Sequence, residues 1–255
     1  MADRTPVLWH IKVSHYNEKA RWALDYKRVA HRRRAPFPLF GTLPTAWLLT
    51  RGITFPILRL DGEAIGDSTA IIAALEERFP EPPLYPADPA ERDRALALED
   101  FFDEELAPHV RRLVWYEEMK DPRAFIAGAL PDASPLMRRA LRAGAPVSAA
   151  VVRRRYGISA ETAREARERI VAAMQRLESE IGPGGYLAGD AFGVADLTAA
   201  ALFTPLVRPP ERPYLPRGEF VPPLRRFCDE LAQMRGSHWV LDMYRRHRGT
   251  SAEIR

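Results

Sequence analysis

An apolar run over residues 7–13 ends at Ser14, and beyond it the apolar positions recur at helical spacing. The run predicts a strand; the periodic stretch predicts a helix over 15–29 with Ala20, Ala23 and Leu24 on its buried side and Trp22 and Tyr26 flanking. Residues 55–60 and 63–65 alternate around Asp61-Gly62, a pair suited to a tight hairpin turn. A helix over 68–79 follows, capped by Asp67 or Ser68, with Ile71, Ile72, Leu75 and Phe79 facing inward. Between these, 31–40 is basic and then proline-rich, which suits a protected edge strand. A short helix within 41–52 would carry Trp47 on its apolar side.

Prolines over 80–89 stop helix formation and predict a linker. Everything beyond has helical periodicity. One long helix over 91–120 is expected to bend near Pro108, and a second over 160–181 buries Ile170, Met174, Leu177 and Ile181. The stretch between them, 121–159, is longer than a simple helix–helix connection and predicts two short helices separated near Pro146. The resulting domain division is 1–82, a linker at 83–90, and an all-helical domain at 91–255 with 121–159 as an insertion.

Composition narrows the function classes. The 255 residues are 46% hydrophobic and 28% charged, as expected of a globular protein. The longest uncharged run, 35–50, is too short to span a bilayer and holds Pro36, Pro38 and Pro44. The N-terminus has no secretory apolar core, and Cys228 is the single cysteine, so no intrachain disulfide exists. A cytoplasmic location is therefore expected. Arginine supplies 34 of the 38 basic residues, yet the net charge is only +4, which favours solvated faces over a nucleic-acid partner. No His/Cys/Asp/Glu spacing suggests a metal site, and no glycine loop suggests a phosphate cradle.

Candidate chemistry gathers at Ser14. A hydroxyl at a helix start lies beside unpaired amides and partial positive charge, an environment that stabilises anions, thiolates included. The strand–helix junction at Ser14, the strand entered through Pro56, and the Asp67-Ser68 helix start resemble the thioredoxin-like domain of the glutathione S-transferase superfamily. Residues 185–203 resemble its second domain, with Phe192 and Leu197 at staple positions and Asp196 reaching back to the helix start, although Gly193 replaces the usual Ser or Thr.

The resemblance implies an α/β thioredoxin-like domain followed by an all-α bundle, and glutathione as co-substrate. Ser14 would donate to its thiolate. Phe55, before a cis Pro56, would pair with its cysteinyl backbone, and Asp67 and Ser68 would hold its γ-glutamyl end. Lacking the family's lysine, the chain would use Arg34 or Arg51 for the glycine carboxylate. Trp47, Trp115, Tyr116 and Met119 would line a pocket for a small apolar electrophile. His10 and His15 flank the site as auxiliary candidates. The resemblance also implies a homodimer through the Ile71-containing helix and the long helix after the linker. Ser14 in place of cysteine argues against thiol-reductase chemistry. A binding or interaction protein that keeps this fold without catalysis is the alternative.

Overall fold

A computed structural model describes residues 5–36, 42–121, 125, 126, 128, 130, 133–216 and 218–254. Its first part is a four-stranded sheet of β1 (Val7–Trp9), β2 (Arg32–Arg34), β3 (Ile57–Leu60) and β4 (Glu63–Gly66), in the order β2-β1-β3-β4. β1 pairs parallel with β2; the β1–β3 and β3–β4 pairs are antiparallel. Helices α1 (His15–Tyr26), α2 (Thr42–Thr50) and α3 (Ser68–Arg78) complete a thioredoxin-like α/β domain.

The hairpin forms as its sequence dictates. Asp61 and Gly62 both take positive φ, 52° and 92°, the conformation that a tight hairpin turn needs and glycine adopts most easily. The arginine strand β2 lies at the sheet edge, as expected.

The second part is all helical: α4 (Pro89–Phe101), α5 (Ala107–Glu118), α6 (Pro135–Tyr156), α7 (Ala160–Glu180), α8 (Val194–Val207), α9 (Pro222–Ala232) and α10 (Arg235–His247). A π-helical turn, Phe102–Leu106, joins α4 to α5. This is the interruption anticipated near Pro108. Pro108 has no N–H to close the wider ring on Asp103, and the Tyr16 hydroxyl donates to the Asp103 carbonyl instead, at 3.1 Å.

Two expectations are corrected. Residues 135–156 form one continuous helix rather than two, with Pro146 inside it. Pro146 is solvent-exposed, so water can serve the carbonyl that the ring leaves unbonded. Trp47 is 54% exposed on α2, and Ala46 takes the buried position instead.

Helix α1 is buried nearly all round, packed against α3 and α8. One apolar core runs from Leu8, Leu24 and Leu58 through Ile71 and Leu75 into Phe102, Leu177, Leu202 and Phe203. Gly193 has a steric reason. Val194 donates to the Leu84 carbonyl at 2.7 Å, and a Cβ at 193 would meet that same oxygen at 3.0 Å. The linker thus docks onto the start of α8, where Asp196 accepts from the Gly193 and Leu187 amides, each at 2.9 Å.

Candidate functional site

Register brings the three motifs together. Ile57 pairs with Trp9 on one side and Gly66 on the other. The segment leading from β1 to Ser14, the Phe55-Pro56 approach to β3, and the Asp67-Ser68 start of α3 therefore meet at one end of the sheet. The Phe55–Pro56 bond is cis.

Ser14 is the N-cap of α1. Its Oγ accepts from Asn17 twice, from the backbone N–H at 3.4 Å and from Nδ2 at 2.8 Å. Two donors directed at the oxygen leave the hydroxyl's own proton to donate elsewhere. Asn17 is fully buried and also accepts from the Ile11 amide through Oδ1, at 2.9 Å. This residue, which sequence reasoning did not single out, fixes both the turn and the hydroxyl.

Arginines hold the turn from behind. Arg21, fully buried, donates to the carbonyls of Ile11 at 3.4 Å, Lys12 at 3.1 Å and Ser14 at 3.4 Å. Arg212, from the loop after α8, donates to Val13 O at 2.7 Å. Four successive carbonyls of the turn thus face guanidinium groups. Arg21 is in turn held by Glu18 at 2.8 Å.

His10 and His15 are placed in structural contacts. Arg21 can only donate, so His10 Nδ1 accepts from it at 2.8 Å and is unprotonated. Burial and the nearby Arg21 push the His10 pKa down to about 2. His15 donates through Nε2 to Ala107 O at 3.1 Å; burial, then Arg111 and Arg212, lower its pKa to about 3. Neither ring is an imidazolium near neutral pH, and neutral His10, accepting at Nδ1, carries its one proton on Nε2.

At the start of α3, Asp67 (φ 74°) caps the helix through a single oxygen. Oδ1 accepts from Thr69 N at 2.9 Å and Ala70 N at 3.2 Å, and among the described residues Oδ2 has no partner. Ser68 is 2% exposed. Thr69 ties this corner to the helical domain. Its hydroxyl donates to Asp103 Oδ2 at 2.7 Å and accepts from Lys19 Nζ at 2.8 Å, while Lys19 also lies 2.8 Å from Glu99. Burial raises the Glu99 pKa, and Lys19 opposes that rise. Among the described residues, neither the N–H nor the C=O of Phe55 has a hydrogen-bond partner.

The remaining candidates are dispersed. Arg34 is exposed on β2, its guanidinium 5.9 Å from the Trp9 ring; Arg51 stacks on Trp47 at 4.2 Å. Trp115 and Tyr116 are half-buried on α5 and Met119 caps its end, with Trp115 against Phe125 at 5.2 Å and Lys120 over Tyr116 at 4.4 Å. No ring contact among the described residues joins Trp47 to this group. Shallow open grooves lie elsewhere, one between α7 and α9 at Arg167, Val171 and Phe227, the other at Phe101, Glu105 and Arg176. The register that assembles Ser14, Phe55 and Asp67 is the better guide, because open grooves of this kind form wherever exposed helices meet.

Among the described residues no group of three His, Cys, Asp or Glu side chains is placed to hold a metal, and no helix is long and apolar enough to cross a membrane. Burial, then the nearby Asp229, pushes the Cys228 thiol up to about 12, leaving it unreactive.

A thioredoxin-like sheet docked on a helical bundle, with a hydroxyl at the start of α1 and a cis proline at the same end of the sheet, defines a class of protein. Residues 8–83 match the glutathione S-transferase N-terminal domain and 90–230 match its C-terminal domain. The chain belongs to the glutathione S-transferase family. It is 31% identical over 137 residues to FtsZ-localized protein A of Caulobacter vibrioides, a match covering 54% of this chain and about half (47%) of that relative.

Two solved structures share the fold at low identity. A glutathione S-transferase of Methylobacterium radiotolerans, in complex with glutathione sulfonate, is 21% identical with a TM-score of 0.56, covering 93% of this chain and 94% of that one. FzlA from C. crescentus is 22% identical with a TM-score of 0.59, covering 93% and 92%.

Proposed function

We propose that this protein binds glutathione at the Ser14 corner and transfers its thiolate to a small apolar electrophile. One observation carries the reading: both donors of Asn17 enter Ser14 Oγ, so the hydroxyl proton is free to donate to a sulfur anion. The positive end of α1 adds to that stabilisation. The unpaired amide and carbonyl of Phe55 suit a cysteinyl backbone, and the free Oδ2 of Asp67 suits an α-ammonium. Ser68 and the amides of α3 suit the adjoining carboxylate. Arg34 or Arg51 would take the far carboxylate.

In the reaction the thiol proton passes to solvent, sulfur forms a bond to the electrophilic carbon, and the leaving group departs with its bonding pair. Trp115, Tyr116 and Met119 supply apolar surface for the second substrate. A homodimer through α3 and α4, and a cytoplasmic location, complete the reading.

The test is calorimetric binding of glutathione together with conjugation of an activated aryl chloride. Ser14→Ala is expected to lower kcat by roughly 100-fold while leaving glutathione affinity within a few-fold, since the lost donor acts mainly on the anion. Wild-type binding without an effect of the alanine change would remove Ser14 from the mechanism.

A second reading, a non-catalytic interaction protein, is favoured by the similarity to a protein named for its localisation with FtsZ. Neither binding nor turnover of glutathione would select it.

A further inference from the structure

Helix α6 presents a face that the Ser14 site does not use. Its N-terminus is capped by Ser134, which accepts from Met137 N at 3.2 Å, and it ends at Gly157 in the left-handed conformation (φ 59°). Only Leu141 and Ala149 are buried along its 22 residues, and Arg112 holds its last turn by donating to Tyr156 O at 3.1 Å.

The side turned away from these anchors carries Leu136, Ala140, Ala143, Val147 and Ala150, all exposed, at successive steps of four, three, four and three residues. That spacing is the a/d seam of a coiled coil, which holds one stripe towards a partner helix. Leu136 is 79% exposed, Val147 70% and the adjacent Val151 54%. Among the described residues nothing packs over this stripe. In heptad terms Arg139 and Arg153 occupy the flanking g positions, where charge selects the partner.

Charge settles which partner fits. The helix holds six arginines and no Asp or Glu. Among the described residues no carboxylate pairs with Arg139, Arg142, Arg153, Arg154 or Arg155. A second copy would bring two arginine-rich helices without a carboxylate together, and that like charge opposes self-pairing. A lipid surface favours a broad face of bulky or aromatic side chains, whereas this seam is largely alanine, which lets another helix come close.

We propose that α6 is a docking surface for an acidic amphipathic helix of a partner protein, with apolar residues at heptad spacing and Glu or Asp beside them. The surface is independent of the glutathione reading, and either can fail alone.

The test uses the full-length protein and two synthetic helical peptides with identical Leu/Ala seams, one flanked by glutamates and the other by lysines. Fluorescence anisotropy is expected to show saturable binding of the acidic peptide, weakening with salt, and at least tenfold weaker binding of the lysine peptide. Val147→Glu should weaken the acidic peptide about tenfold. The double variant Arg139→Glu, Arg153→Glu should reverse the preference. Both changes are at exposed positions, so circular dichroism and the melting temperature should stay at wild-type values. Indifference to peptide charge, or no binding of the acidic peptide, would overturn the proposal. So would binding to phosphatidylcholine–phosphatidylglycerol vesicles alone, or a dimer that sedimentation shows to be lost in Val147→Glu.

Discussion

Glu18→Ala is expected to cost about 3–5 kcal/mol of folding stability, enough to leave many domains largely unfolded. Glu18 is fully buried and accepts from Arg21 Nε at 2.8 Å and Arg248 Nε at 2.8 Å. Arg248 also reaches Asp25 at 2.9 Å, and Asp25 takes both oxygens of its carboxylate to Arg33 at 2.7 Å. The cluster therefore links α1, β2 and the chain beyond α10. Burial works against the Glu18 charge, but Arg248 and Arg21 outweigh it and hold its pKa below the usual carboxylate range. Removing the carboxylate leaves buried Arg21 without an anionic partner and Arg248 with Asp25 alone, and that uncompensated charge, rather than any net strength of the pair, sets the size of the loss.

Because Arg21 also holds the carbonyls before Ser14, the same change should loosen the candidate site. Urea denaturation followed by tryptophan fluorescence measures the effect. A midpoint indistinguishable from wild type would mean that water or a rearranged partner compensates the arginines, contrary to the buried network described.

Acidification is expected to destabilise the fold from near pH 6, well before most carboxylates titrate. His10 and His15 have folded pKa values of about 2 and about 3, whereas in the unfolded chain each returns to near 6.5. The unfolded state then binds more protons below pH 6.5. Their stabilising effect is complete above that pH and is lost as pH falls. Each contributes a slope of about 1.4 kcal/mol per pH unit, so the pair approaches roughly 2.7 kcal/mol per unit below pH 6. His31, lowered by its burial, adds in the same sense.

Glu18 and Asp25, held low, act further down. Their contribution is present above about pH 4 and is lost as pH falls towards their folded values. Stability measured by urea titration from pH 7.5 to 4.5 should fall steeply. The double variant His10→Gln, His15→Gln should have a flatter slope, although its stability at pH 7 is lower. An unchanged slope in that variant would show that other groups govern the acid response.

Much of this arrangement is legible in local sequence. Asp61-Gly62, the helix start at Ser14, the proline-led strand and the Asp67 cap depend on neighbours within a few residues, and they occur where the pattern puts them. What escapes is what depends on distant partners. Asn17, Glu18, Lys19, Arg21 and Asp25 have the polarity of an exposed helix face, yet all are buried in α1. Glu18 meets Arg248 across 230 residues, and Arg212 meets Val13 across 199. No local signal marks such pairs; only the unusual density of charge on a helix already called for by its apolar spacing hints at them.

Pro146 misleads in the opposite direction. Proline inside a helix forfeits one hydrogen bond and crowds the carbonyl four residues back, but on an exposed face water can serve that carbonyl, and here the helix continues through it. Trp47 likewise has the apolarity of a pocket residue, but its contact is with Arg51 on the surface of α2. The π-helical turn was visible only as the bend near Pro108. Its effect on the site, through Asp103, Thr69 and Lys19, belongs to three dimensions.

Direct titration of the thiol of bound glutathione, by thiolate ultraviolet absorbance in wild type and Ser14→Ala, bears most closely on the central idea. The free Ser14 proton and the α1 terminus should bring the bound thiol's apparent pKa at least one unit below that of the free tripeptide, with most of the shift lost in Ser14→Ala. A bound thiol that titrates like the free one in both proteins, or no saturable binding at all, would contradict it.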